Sequence, residues 1–354
     1  MNKKRKSDWL SSPTVPVEIR KDSKISSMLE NMRSIGFQAR SLGNVYHIWS
    51  EMLMEPRIVI MMGIAGAMVP AGLRKVISHL ISHHYIDALV TTGANLYHDL
   101  NEAIGHRHYL GTDAVDDVML RELKVDRIYD IFADEEEYIM TDEWIDHVFT
   151  KRLEDHRPYS SREVLKELGR FLIDNRFKNE SILISAYESN VPIFAPALGD
   201  SALGFSIMSA NAQRKRRIVV DMMKDVFESV VLAMRAPKTG AIYVGGGVPK
   251  NYIQQAAVLA SWFLKEEKPH EYAVQISTDI PQWGGLSGAT FEEAKSWGKI
   301  KSSGKTASAY LDATIGLYLV AQGLFEEFSG KSREVPVFDF NGDEASLKFV
   351  RMEL

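Results

Sequence analysis

Trp297-Gly298-Lys299-Ile300 sets an amine beside an indole, with Glu292 and Glu293 a few residues upstream. Partial desolvation by the indole favours the neutral amine, which is the nucleophilic form. Such an amine can form an imine with a carbonyl or accept an alkyl imine by exchange. An arbitrary lysine is a surface lysine; the setting between a glycine-rich loop and two acids singles Lys299 out. Asp99, Asp200, Asp279, Glu292, Glu293 and Asp312, with Trp283 and Trp297 beside them, suit a cationic, partly aliphatic ligand such as a polyamine. Carboxylates pair with ammonium groups, and indole faces add cation–π attraction. Taken singly, each acid reads equally well as a helix cap or a solvated face. His106 and His108 with Glu102 lack an obvious third ligand, so no metal is expected. The chain has no cysteine, which excludes thiolate nucleophiles and disulfides. It also has no G-x-S-x-G elbow.

Gly245-Gly246-Gly247 follows an apolar run and precedes a helical pattern. Bare glycine lets the backbone approach a phosphate, and a helix N-terminus favours its charge. The same glycines also fit a plain tight turn, and the G-x-G-x-x-G fingerprint is absent. Two further turns share the character, Gly63 to Gly66 and Thr91-Thr92-Gly93-Ala94-Asn95. Three such turns at strand ends favour a dinucleotide lying across a sheet edge.

Apolar runs recur at Ile58–Met62, Ile86–Thr92, Val191–Phe194, Ile242–Val244, Tyr272–Thr278 and Ala307–Leu311, with helical patterns between them. This predicts an α/β, Rossmann-like fold: a mostly parallel central sheet with helices on both faces. Ligands of such sheets bind at the carboxyl ends of strands. Residues 1–20 read as a flexible arm, and residues 21–354 as a single domain. Helical patterns begin near Ser23 and cover Phe37 to Met54. Tyr109 to Glu188 reads as a helical insertion carrying the acidic patch Asp134 to Glu137. No apolar run approaches a membrane span and no signal-peptide core follows Met1, so a cytoplasmic protein is expected. A net charge of -5 does not suggest a nucleic-acid partner, and the run Arg214 to Arg217 reads as a solvated element end.

Several blocks together resemble the deoxyhypusine synthase family over about residues 25 to 327. They are Ala65 to Gly72, Val90 to Asn95 with His98-Asp99, Pro196 to Asp200, Gly245 to Val248, and Glu293 to Ile300. The resemblance implies NAD as cofactor, a polyamine substrate and a homotetramer with sites at subunit interfaces. Lys299 corresponds to the family's imine-forming lysine. Thr92, Gly93, Asp200, Gly245, Gly246, Thr278 and Asp312 should contact NAD, with Gly66, Ala94, Asp99 and Ala313 in the same blocks. Glu293 and Trp297 should line the amine tunnel, with Asp279, Trp283 and Ser287 in the neighbouring loop. The chain also departs from the protein-modifying members. It carries Gly66-Ala67 for a serine–asparagine pair, His98 for a glutamate, Asn251 for a histidine and Phe205 for an aspartate. These changes favour a small diamine acceptor, as in homospermidine synthases, with neutral His98 as base. The alternatives are a translation-factor lysine as acceptor, or a binder of NAD and polyamine without turnover.

Overall fold

The computed structural model describes residues 5–341 and 344–354. Six strands form one parallel sheet: β1 (Ile58–Ile64), β2 (Ala88–Thr91), β3 (Ile193–Phe194), β4 (Lys238–Val244), β5 (His270–Ile276) and β6 (Ile300–Ala309). Their order across the sheet is β6-β5-β4-β1-β2-β3. Each of the six apolar runs corresponds to one of these strands. The helices that position the site are α1 (Ile25–Met32), α2 (Phe37–Met54), α3 (Arg74–Ser82), α4 (Gly93–Ala103), α5 (Glu135–Arg152), α6 (Ser161–Asp174), α7 (Ile182–Glu188), α8 (Ala202–Gln213), α9 (Met222–Arg235), α10 (Gly247–Leu264), α11 (Phe291–Ser296) and α12 (Ala313–Phe328).

β1 shows why its sequence is apolar throughout. Successive side chains point to opposite faces. Ile58, Ile60, Met62 and Ile64 enter a core with Trp49 and Met52 of α2, while Val59 and Met61 enter a second core with Ile253, Ala256 and Ala260 of α10. Helices thus cover both faces, and no residue of β1 can be polar without stranding a group in apolar surroundings.

Ahead of α1, the described part of the expected arm is exposed, with one short helix at Lys6–Trp9. Its first four residues, which include Lys3 and Lys4, lie outside the described residues. The insertion is helical in α5, α6 and α7, but it also holds a three-stranded antiparallel sheet of His108–Leu110, Ile131–Asp134 and Val125–Ile128. Strands this short have no length in which to display an alternation. The acidic patch is the start of α5: Asp134 accepts from the Glu136 N–H at 2.9 Å, and the glutamates sit where the helix dipole favours them. The basic run is likewise tied down, Arg214 to Asp146 at 2.7 Å and Arg216 to Asp155 at 2.9 Å.

Two features depart from expectation. β6 begins at Ile300 rather than near Ala307. It is an edge strand with a register shift against β5 between Ile300 and Lys305, so polar residues 301–306 are tolerated there. The chain then ends in an antiparallel hairpin, β7 (Ser332–Asn341) and β8 (Glu344–Glu353). Arg333 of β7 reaches into the sheet and pairs with Asp87, just ahead of β2, at 2.8 Å; both side chains are buried. Asp87 also accepts from the Ile60 N–H at 2.8 Å, and Arg333 donates to the carbonyls of His84 and Ile58. No helix among the described residues is long and apolar enough to cross a membrane.

Candidate active site

The carboxyl ends of the strands line up along one edge of the sheet. In sheet order they carry Asp312 and Ala313, Thr278, Gly245 and Gly246, Gly66, then Thr92 with Gly93 and Ala94, and lastly Asp200 after β3. With strands about 4.8 Å apart, this edge runs roughly 24 Å. Asp312 caps α12 by accepting from the Thr314 N–H at 2.7 Å, and Thr92 caps α4 by accepting from the Asn95 N–H at 3.3 Å. The N-termini of α4, α10 and α12 therefore open along this edge. Gly66 (φ 87°) and Gly245 (φ 69°) hold left-handed backbone that glycine adopts without strain. Asn95 staples two of the turns: its amide donates to the Gly66 carbonyl at 2.8 Å, and its oxygen accepts from the Val69 N–H at 3.2 Å.

Lys299 approaches from elsewhere. α11 is capped by Thr290, whose hydroxyl accepts from the Glu293 N–H at 3.1 Å. It ends in Trp297 and Gly298, and the positive φ of Gly298 (68°) turns the chain into β6. Lys299 thus sits at the amino start of an edge strand, its carbonyl accepting from the His270 N–H at 3.1 Å. Only its side chain reaches the site, where Nζ donates to Asn251 Oδ1 of α10 at 3.2 Å. The Trp297 ring centroid lies 5.6 Å from Nζ. Partial burial pulls the amine below its ordinary range, and the Glu293 carboxylate opposes that pull. Trp283 and Trp297 remain 81% and 67% exposed, so their faces are available to a ligand.

His98 stands in a different cluster. Its Nδ1 lies 3.0 Å from His108 Nε2, and His108 Nδ1 lies 2.7 Å from Glu102 Oε1. Burial first, and then the neighbouring His108, drive His98 down to about 4. It is neutral as expected, but desolvation makes it a weaker base than the unperturbed imidazole assumed from sequence. His106 faces Glu137 at 3.6 Å instead of joining His108. Asp99 is fully buried and turned inward: it accepts from Ser181 Oγ at 2.7 Å and from the Ile182 and Leu183 N–H groups, capping α7. Burial pushes its carboxyl up to about 6. Asp200 and Asp279, by contrast, are exposed. The Ser287 hydroxyl is engaged by the Gly247 N–H at 3.0 Å.

Sequence reasoning passed over Lys250 and Gln275. Lys250, in the first turn of α10, is 1% exposed. Its Nζ donates to Gln275 Oε1 at 2.9 Å, to the Ser287 carbonyl at 3.2 Å and to the Ala289 carbonyl at 2.6 Å. Burial pulls it down to about 8, with Glu293 and Asp279 opposing and Lys299 assisting. One signal was present: a cation in the first turn of a helix faces the positive end of the dipole and calls for a local reason. A cavity of about 340 Å³ between α6, α7 and the C-terminal hairpin holds none of the candidate residues.

The fold and site define an α/β protein with a doubly covered parallel sheet and a half-buried lysine amine beside an acid and an indole. The family model described as deoxyhypusine synthase matches residues 27–324. "Probable deoxyhypusine synthase 2" of Methanosarcina mazei is 45% identical over 336 residues, covering 95% of this chain and 96% of the relative. The Archaeoglobus fulgidus protein of the same name is 48% identical over 309 residues, covering 87% and 99%. Among solved structures, an Entamoeba histolytica protein assigned to the deoxyhypusine synthases superimposes with a TM-score of 0.60 at 18% identity, covering 86% and 94%; at that identity it speaks to the fold. The chain belongs to the deoxyhypusine synthase family, whose members are aminobutyl transferases.

Proposed function

We propose that this chain transfers a 4-aminobutyl group from spermidine, or a related polyamine, to an acceptor amine through an imine on Lys299. One observation carries the reading: the Lys299 amine is half-buried and pulled below its ordinary range, with Asn251, Trp297 and Glu293 around it. The carboxyl edge of the sheet fits NAD, because three helix N-termini open along it and favour phosphate charge, and its glycine turns let a ligand approach the backbone closely. Bound NAD would supply a hydride acceptor for the polyamine and return the hydride at the end. Lys299 adds to the oxidised carbon, the C–N bond to the propylamine side breaks, and 1,3-diaminopropane leaves. The lysine then holds the butyl chain as an imine until the acceptor amine displaces it. Glu293 and the exposed face of Trp297 hold the ammonium end of the chain.

The relatives' names support a translation-factor lysine as the acceptor, ahead of the small diamine that the sequence favours. The diamine reading keeps one observation: Phe205, 61% exposed, and neutral His98 stand where protein-modifying members carry acids. A homotetramer belongs to the same reading.

The test uses purified protein, NAD and spermidine labelled in its butyl moiety, quenched with borohydride. The peptide containing Lys299 should gain a butylamine mass, and Lys299→Arg should abolish the gain. Label on another lysine would sink the assignment, and no label at all would leave a binder without turnover. Putrescine and a translation factor with a hypusine-acceptor loop are then offered at equal concentration. Label on the factor supports the first acceptor, and label in homospermidine the second.

A further inference from the structure

The segment 279–290 carries Asp279, Trp283 and Ser287, and most of it is exposed. Turn bonds hold it internally, from Gly284 to Pro281, Gly288 to Gly285 and Ala289 to Leu286. Among the described residues, Lys250, Gln275 and Gly247 are the partners that tie Ser287 and Ala289 to the sheet and to α10. Gln275 joins the two sides, its amide donating to the Gly245 carbonyl and the Ser287 carbonyl, each at 2.8 Å. The approach is too close for side chains: a Cβ on Gly246 would stand 2.4 Å from Ser287 Cα, and one on Gly288 would stand 2.3 Å from the Ile280 carbonyl oxygen.

Lys250 is the centre of this contact. A neutral amine has two protons to give, and three acceptors require the ammonium. None of the three is a carboxylate, so the charge is spent on two carbonyls of the segment and one side-chain amide. The ionisable groups facing it are Glu293 of α11, Asp279 of the segment and Lys299. The next residue of α10, Asn251, accepts from Lys299. Two consecutive residues of one helical turn therefore hold, respectively, the amine-binding segment and the imine-forming lysine.

We propose that Lys250 is a positioning residue that latches segment 279–290 onto the glycine turn, and so fixes the amine-binding groups relative to Lys299. The inference rests on the reading of Lys299 given under Proposed function. Lys250→Met keeps the aliphatic length and removes all three donors. Amide hydrogen exchange followed by mass spectrometry should then accelerate about tenfold over residues 279–290, with α2 and β1 unchanged. This measurement needs neither NAD nor polyamine, so it can succeed or fail whatever the reaction proves to be. In the trapping assay, the spermidine concentration for half-maximal labelling of Lys299 should rise about tenfold, and the NAD requirement should stay within a factor of two or so. A lysine that only stabilises the fold would lower the melting temperature and leave that split unmoved. Ser287→Ala is the milder companion if Lys250→Met does not fold; it removes one bond and should accelerate exchange over the same segment. Wild-type exchange over 279–290 in a folded Lys250→Met, or acceleration spread evenly through the sheet, would overturn the latch. An equal rise in the spermidine and NAD requirements would do the same.

Discussion

His270 begins β5 with both ring nitrogens engaged, Nδ1 at 2.8 Å from Thr239 Oγ1 and Nε2 at 3.2 Å from the Ile253 carbonyl. Burial drives its imidazole down to about 4 from the ordinary 6.5. The sign follows from proton counting. Below about 6.5 the unfolded chain takes up a proton that the folded chain refuses, so this residue's contribution to stability falls as pH drops toward 4. Melting temperatures of wild type and His270→Gln should therefore converge, or cross, between pH 6.5 and pH 4; parallel curves would contradict the buried neutral state. Buried single residues such as this one are the least legible in sequence. Lys250 reads as an ordinary lysine of a helix start, because its burial is made by residues about 40 positions away. The surroundings of Lys299 were legible, since its indole, glycine and acids are sequence neighbours. Asp99 was misplaced because a carboxylate near a strand end looks the same whether it faces a ligand or caps the next helix.

Among the elements, the six parallel strands were readable because burial on both faces demands unbroken apolar runs, and all of them but Val191–Phe194 lead directly into glycine, threonine or aspartate. The C-terminal hairpin was not readable: Ser332-Arg333-Glu334-Val335 opens with charges, and one of them turns out to be buried. That charge fastens the hairpin. Removing Arg333 leaves Asp87 buried with one backbone donor, and breaking such a pair costs about 3–5 kcal/mol. Arg333→Met should lower stability by that order in denaturant titration, and Arg333→Met with Asp87→Asn should recover part of the loss. A loss below about 1 kcal/mol in the single variant would show the hairpin to be held by its apolar face alone, where Phe338 meets the second core.

For the molecule as a whole, the exposed aromatic residues are where the proposed tetramer would find its contacts. Phe205, Trp262, Phe263 and Trp283 are 61%, 73%, 64% and 81% exposed, more aromatic surface than a monomer ordinarily leaves in water. Sedimentation at four times the 39.9 kDa chain mass is expected, and a single 39.9 kDa species at micromolar concentration would remove the tetramer from the reading. The strand order has a consequence for how the protein is made. β1 lies between β2, which follows it closely, and β4, which pairs Ile58 with Lys238. Until the ribosome has delivered residue 244, one side of β1 has no neighbour, and Asp87 waits still longer for Arg333. A nascent chain of some two hundred residues thus carries an open apolar strand edge and an unpaired internal carboxylate. Chains truncated ahead of the hairpin should therefore show a smaller soluble fraction on expression than the full chain, and an equal fraction would show that the open edge and unpaired carboxylate are tolerated.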